Sequence, residues 1–241
     1  MERTFAQMKV YPVTVFFLSF LAILPPAGGK GSPAGNQERE GTISGSVELP
    51  AQAQAAKRER SSRYRSSLSG ESSAEAQKGA KPEVTNVVIY LSGEGLSQQN
   101  PSAKPILDQR DADFIPHILP VVRGASVRIV NRDKTYHNVF SLSSAKKFNI
   151  GRRPTGEEVP ITFDKTGVVQ VFCDIHSNMS AFVVVLDNSA FVRPQADGAY
   201  SLKNVPPGKY AVNAWHERFS SSPQQVTVKA GEALTVNFTL Q

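Results

Sequence analysis

The stretch that decides the fold is VVQVFCDIHSNM, residues 168–179, in which an apolar run ends at Cys173 and a polar turn follows. The run 168–172 predicts a β-strand, because short apolar runs bounded by turn residues are typical of buried strands. Cys173, His176 and Met179 then place a thiolate, an imidazole and a thioether within one short segment. All three groups bind soft metals, and a tight turn after the strand would gather them around one point.

A further ligand is expected from a neighbouring strand. His137 stands where the predicted strand 126–130 has ended and the predicted strand 139–142 begins. A thiolate, imidazole nitrogens and a weak thioether together select copper, since sulfur favours Cu(I) and nitrogen suits both oxidation states. The adjacent Asn138 is expected to donate hydrogen bonds to the facing loop, which would tune the thiolate site. The sequence therefore predicts one copper ion per chain.

These residues belong to a longer pattern, F-x-P-x-x-L-x-V-x-x-G-x-x-V-x-x-x-N-x-D-x-x-x-H-N-V over 114–139 and V-x-x-F-C-x-I-H-x-x-M over 169–179. The pattern resembles the cupredoxin family of blue-copper, plastocyanin- and amicyanin-like proteins, across residues 105–187. The resemblance implies a Greek-key β sandwich that transfers single electrons through type 1 copper. It also implies that His137, Cys173 and His176 are the equatorial ligands and Met179 the axial ligand.

The segment after this region predicts further β structure. Turn chemistry at Asp197-Gly198 and Pro206-Pro207-Gly208 separates predicted strands 200–202, 209–214, 225–228 and 234–240. Residues 189–241 resemble a second small β sandwich of the transthyretin-like, carboxypeptidase-regulatory type. That resemblance also covers the strands 41–49 and 87–92, which we expect to pair with the C-terminal domain.

The remaining pattern supports an all-β fold class. Additional strands are predicted at 118–122, 159–163 and 181–186, and no segment after residue 30 keeps a helical period. Residues 50–82 are rich in Ser, Ala and charge, so they cannot bury enough apolar surface to offset the entropy of ordering. We interpret 50–82 as a disordered basic loop.

Residues 1–29 have the composition of a signal peptide. Two cationic residues, Arg3 and Lys9, precede the apolar run VTVFFLSFLAIL, which is too short to span a bilayer comfortably. An uncleaved membrane anchor is the alternative. The rest of the chain has no apolar stretch of spanning length, so we expect a periplasmic or secreted protein with no integral span after cleavage.

Cys173 is the single cysteine of the chain. Exported proteins commonly use cysteines in disulfides, and one cysteine forms no internal bridge. Three explanations remain: a buried inert thiol, a nucleophile or a metal ligand.

The net charge of +6 and the pI of about 9.5 raise the question of an anionic partner. Export and the lack of aromatic residues interleaved with Lys and Arg exclude nucleic acid. The basic cluster at 57–65 is either a solvated loop or an electrostatic docking segment for a protein redox partner or a membrane surface.

The other histidines do not extend the copper site. His117 and His216 are interpreted as surface or hydrogen-bonded histidines, and neither forms a His-x-His pair of the multicopper type. No catalytic residues are identified, so we expect an electron carrier rather than an enzyme. The alternatives are a protein that buffers or delivers copper without redox turnover, and a metal-free adhesion or scaffold protein.

Overall fold

The computed structural model describes residues 39–50, 83–98 and 104–241. The predicted signal peptide 1–29 lies outside the described residues, as do positions 51–82 of the predicted loop, which include the basic cluster 57–65. Within the described ranges, no helix is long and apolar enough to cross a membrane.

The described chain is almost entirely β structure, with a short 3-10 helix at Glu83–Asn86. The strands are β1 (Gly41–Glu48), β2 (Val88–Ser92), β3 (Ile106–Arg110), β4 (Asp113–Ile115), β5 (Ile118–Val122), β6 (Ala125–Asn131), β7 (His137–Ser143), β8 (Lys146–Arg153), β9 (Glu158–Phe163), β10 (Gly167–Cys173), β11 (Ser180–Leu186), β12 (Phe191–Val192), β13 (Ala199–Val205), β14 (Gly208–Trp215), β15 (Gln224–Val228), β16 (Ala233–Thr235) and β17 (Phe238–Thr239). The predicted all-β fold class is confirmed.

Two sheets formed by β3 to β11 make the first sandwich. One has five strands in the order β5-β11-β10-β7-β8, and the other has four in the order β4-β3-β6-β9. Alternate residues of each strand point between the sheets, as the two-residue period of a strand requires. The enclosed core contains Phe114, Ile129 and Phe163, and it also includes Cys173 and Met179.

The second sandwich combines strands from distant parts of the chain. Strand β1 lies between β13 and β16 and also pairs with β17, while the facing sheet has the order β12-β2-β14-β15. Its separate core includes Ile43, Leu91, Tyr210 and Phe238. We refer to this body as the outer sandwich.

A third apolar cluster joins the two sandwiches. Val88, Ile118, Val184 and Leu186 are buried together, with Phe182 and Trp215 packed against them. Strand β11 contributes to the first core and to this cluster, because Ala181, Val183 and Val185 face the first core while the residues between them face the cluster. Burial on both faces explains why β11 reads as a continuous apolar run.

Four strands were not predicted from the sequence: β3, β4, β8 and β12. Strand β8, KKFNIGRR, lies at an edge of the five-stranded sheet, and its Lys and Arg residues are typical of exposed edges. Strand β8 was not predicted because most of its residues are polar or charged.

The predicted strand 234–240 is divided into β16 and β17. Between them, the side-chain oxygen of Asn237 accepts a hydrogen bond from the Ser46 N–H at 2.9 Å. A side chain thus occupies the position of a backbone carbonyl, which interrupts the ladder at this point.

Candidate metal centre

Two adjacent strands position the first two candidate ligands. His137 is the first residue of β7, and Cys173 is the last residue of β10. The strands are antiparallel neighbours, with Cys173 opposite Val139. The imidazole and the thiol therefore emerge at the same end of the sheet, and both side chains are buried.

A short loop returns the chain from Cys173 to Met179. The Met179 N–H donates to the carbonyl of His176 at 3.0 Å, and the Cys173 N–H donates to the carbonyl of Met179 at 3.3 Å. These bonds close the loop at the base of the site. Met179 is fully buried in the first core, while His176 is half-buried.

Three donor atoms converge at this end of the sheet. The Nδ1 atoms of His137 and His176 are 3.2 Å apart, and Cys173 Sγ lies 3.5 Å from the first and 3.9 Å from the second. One ion bound about 2.0–2.3 Å from each donor, as in zinc sites, requires donors at about such separations. The geometry therefore suits one metal ion held by two nitrogens and a thiolate.

Asp133 fixes the orientation of the His137 ring. The carboxylate of Asp133 accepts a hydrogen bond from His137 Nε2 at 2.9 Å, so the ring proton sits on that nitrogen. The lone pair of Nδ1 then faces Cys173, as a metal ligand requires. Sequence reasoning did not assign this role to Asp133, although Asp133 stands four residues before His137 in the quoted pattern.

Asp133 is held ionised by its surroundings. Burial raises the pKa of Asp133, but hydrogen bonds from the Ala112 N–H, His137 and the Asp111 N–H outweigh this effect and keep the pKa below its ordinary value. Asp111 and Ala112 form the turn between β3 and β4 with φ of 54° and 53°, as in two-residue hairpins. The carboxylate thus ties this turn to the histidine.

Asn131 shapes the loop that presents His137. Its amide nitrogen donates to the carbonyls of Thr135 and Arg153, each at 2.8 Å, and its side-chain oxygen accepts from the Asp133 N–H at 2.9 Å. Asn131 is fully buried, so these bonds form where water does not compete. These bonds therefore support the loop conformation that presents His137.

Asn138 links β7 to the loop after Cys173. Its amide nitrogen donates to the Asp174 carboxylate at 2.9 Å, and its backbone carbonyl accepts from the Asp174 N–H at 3.3 Å. Asn138 thus joins the start of β7 to the loop between Cys173 and Met179.

A second group of potential donors comprises Glu83, His216 and Glu217. Arg218 forms an ion pair with Glu83, and its backbone N–H donates to His216 Nδ1 at 3.1 Å. The lone pair of neutral His216 is therefore already used. We interpret this group as a buried ion-pair cluster rather than a metal site.

The C-terminal part of the chain matches a family model. Residues 179–241 match the carboxypeptidase regulatory-like domain. No curated protein matches the chain.

Several solved structures are similar to part of the chain. A purple cupredoxin from Nitrosopumilus maritimus is 22% identical, with a TM-score of 0.32 and coverage of 34% of this chain and 99% of its own. A copper-containing nitrite reductase from Thermus scotoductus is 22% identical, with a TM-score of 0.34 and coverage of 36% and 23%, respectively. Amicyanin from Paracoccus versutus is 18% identical, with a TM-score of 0.32 and coverage of 40% and 98%. Both families identified by resemblance are represented among the matches.

Proposed function

We propose that the protein is an exported mononuclear blue-copper protein that transfers single electrons. The observation that carries the proposal is the convergence of His137 Nδ1, His176 Nδ1 and Cys173 Sγ within 3.9 Å of one another. Two imidazoles and one thiolate in a trigonal set, with a weak thioether beside them, are the donor set of electron-transfer copper sites. Met179, buried beside Cys173 in the same core, is the proposed weak ligand.

A bound copper ion would supply one-electron chemistry by alternating between Cu(I) and Cu(II). The residues around the site would keep the donors in place during this exchange. His137 is tied to Asp133, and the loop after Cys173 is tied to Asn138. Ligands fixed by their own partners need little rearrangement when the charge at the site changes.

His176 is the proposed exit for the electron. It is half-buried, whereas His137 is fully buried. Tyr136 and Ile175, which adjoin the two histidines in sequence, are 58% and 40% exposed. An apolar surface at this end of the sheet suits close contact with a protein redox partner. The basic cluster 57–65 is a further proposed docking element.

We also propose a division of labour along the chain. Residues 105–187 would be the copper-binding domain, and residues 189–241 with the strands 41–49 and 87–92 would be the outer domain. Two separate apolar cores support this division.

Titration of the full chain with Cu(II) tests the function. One equivalent should produce intense visible absorption from the Cys173 thiolate and the electron paramagnetic resonance spectrum of type 1 copper. Cys173→Ala should abolish both signals, while Ser177→Ala, an exposed position in the same loop, should keep them. Tight copper binding without the absorption would favour copper buffering or delivery. Unchanged metal content in Cys173→Ala would favour a metal-free scaffold.

A further inference from the structure

His117 connects the outer sandwich to the end of the candidate metal loop. Its Nδ1 lies 2.9 Å from the carbonyl oxygen of Ser180, the residue that follows Met179. Its Nε2 lies 3.0 Å from Oε1 of Glu217, which follows β14 of the outer sandwich. One imidazole therefore bridges the two sandwiches.

The two contacts define the protonation of the ring. A carbonyl oxygen and a carboxylate oxygen both accept hydrogen bonds, so both ring nitrogens of His117 must donate. The geometry therefore favours the imidazolium form, in which the bond to Glu217 is charge-assisted and stronger than a neutral hydrogen bond.

Ser180 is a sensitive position for such a contact. It begins β11, pairs with Phe172 of β10, and directly follows the loop that Cys173 and Met179 close through their backbones. The Ser180 carbonyl belongs to the peptide unit between Ser180 and Ala181, which is the second peptide unit after Met179. Holding this carbonyl orients Ser180, whose N–H shares a peptide unit with the Met179 carbonyl that accepts from the Cys173 N–H.

Apolar packing stiffens the bridge. The His117 ring packs edge-on against the Phe182 ring, with 5.7 Å between the ring centroids. The Phe182 ring in turn packs against Trp215 of β14, with 5.8 Å between the ring centroids. The His117 carbonyl also accepts a hydrogen bond from the Phe182 N–H at 2.9 Å. The bridge thus lies beside the apolar cluster that joins the sandwiches.

Other charged groups surround the bridge. The charge of Asp113 on β4 raises the pKa of His117. The charges of His216 and Arg218 lower the pKa of Glu217. Arg218 is itself paired with Glu83. Glu217 remains the group in direct contact with the imidazole.

We propose that His117 and Glu217 are positioning residues through which the outer sandwich holds the metal loop in its binding conformation. The inference rests on the proposed copper site, because the loop between Cys173 and Met179 has a metal to bind only if that site holds copper. Under this inference the outer sandwich supports the copper site although it supplies no metal ligand.

Glu217→Gln in the full-length, metal-free chain tests the bridge directly. Amide hydrogen exchange should become about tenfold faster at Cys173 and Met179, the two loop amides whose bonds close the loop, which corresponds to about 1.4 kcal/mol. His117→Asn, which retains a donor near the Ser180 carbonyl but does not reach Glu217, should give the same pattern. Asp187→Asn, which removes an exposed ion pair with Arg123 at the other end of β11, is the matched control and should leave both amides unchanged.

The copper-loaded protein gives the second measurement. Glu217→Gln should shift the reduction potential and the electron paramagnetic resonance parameters while one copper ion per chain remains bound. Exchange at Cys173 and Met179 equal to that of Asp187→Asn would overturn the inference, as would a uniform increase across both sandwiches. Absence of type 1 copper in the wild type would overturn the proposed function instead, and the exchange result would still decide whether the bridge holds the loop.

Discussion

The carboxylate of Asp133 accepts a hydrogen bond from His137 at 2.9 Å, although the two residues belong to a loop and a strand respectively. The bond forces the unprotonated nitrogen of the imidazole toward Cys173. The candidate site thus depends on a residue that is not itself a proposed ligand.

Asp133→Asn should weaken metal binding by about tenfold to a hundredfold, the usual effect of removing such a partner. The neutral amide would still accept one backbone hydrogen bond but would no longer favour the required ring orientation. Competition with a chelator of known affinity measures the change. Asp164→Asn, which removes an exposed ion pair with Lys146, is the control; equal affinities in the two variants would contradict the prediction.

The bridge between His117 and Glu217 should make stability depend on pH. Burial lowers the pKa of His117, but the hydrogen bond and charge of Glu217 outweigh it and raise the pKa above the ordinary 6.5. Burial raises the pKa of Glu217, but His117 outweighs it and lowers the pKa below the ordinary 4.5. The histidine contributes fully below pH 6.5 and loses its contribution as pH rises through the raised value. The carboxylate contributes above pH 4.5 and loses its contribution as pH falls through the lowered value.

The difference in unfolding free energy between wild type and Glu217→Gln should therefore be largest between pH 4.5 and 6.5 and shrink above this window. Burial lowers the pKa of His216 and the charge of Glu217 partly offsets this effect, so the loss of that charge adds to the instability of the variant at acid pH. Denaturant unfolding at several pH values provides the measurement. A difference independent of pH would show that the pair is not charged in the folded protein.

Ile118→Ala should destabilise both sandwiches together. The side chain is fully buried in the cluster that joins them, and truncating such a residue costs about 2–5 kcal/mol. Trp215 fluorescence and far-ultraviolet circular dichroism should show one transition shifted to lower denaturant. Ile115→Ala, at a position 46% exposed, should shift it little. Two separated transitions in wild type would mean that the sandwiches unfold independently.

Gly45→Ala should destabilise the outer sandwich by about 1–3 kcal/mol, the usual cost of overpacking. A Cβ at position 45 would lie 1.8 Å from the backbone oxygen of Val236, so β1 and the segment between β16 and β17 would have to separate. Ser201→Ala, at an exposed position on β13, is the control. A thermal midpoint equal to that of the control would contradict the close approach.

The candidate site was largely predictable because most of it is local. Cys173, His176 and Met179 lie on one strand end and the turn after it, and the elements that place them were clear in the sequence. Asp133 was missed because its contact with His137 depends on the loop conformation that Asn131 imposes. Spacing alone does not show such a conformation.

The contact between the sandwiches had a sequence signal that was not used. Strand β11, SAFVVVL, lacks the polar alternate positions of a strand with one solvated face. Its uninterrupted apolar run indicates burial on both sides. The bridge of His117 and Glu217, by contrast, joins residues 100 positions apart and has no local signal.

The placement of β1 has a consequence for the order of events during synthesis. Ile43 is paired with Leu202 and Val47 with Phe238, whereas β3 to β11 find all their sheet partners between Ile106 and Leu186. Local pairings form faster than distant ones, because shorter loops are closed. We expect the first sandwich to form while β1, which is synthesised earlier, is still unpaired. A chaperone that shields β1 during this interval would therefore raise the yield of folded protein.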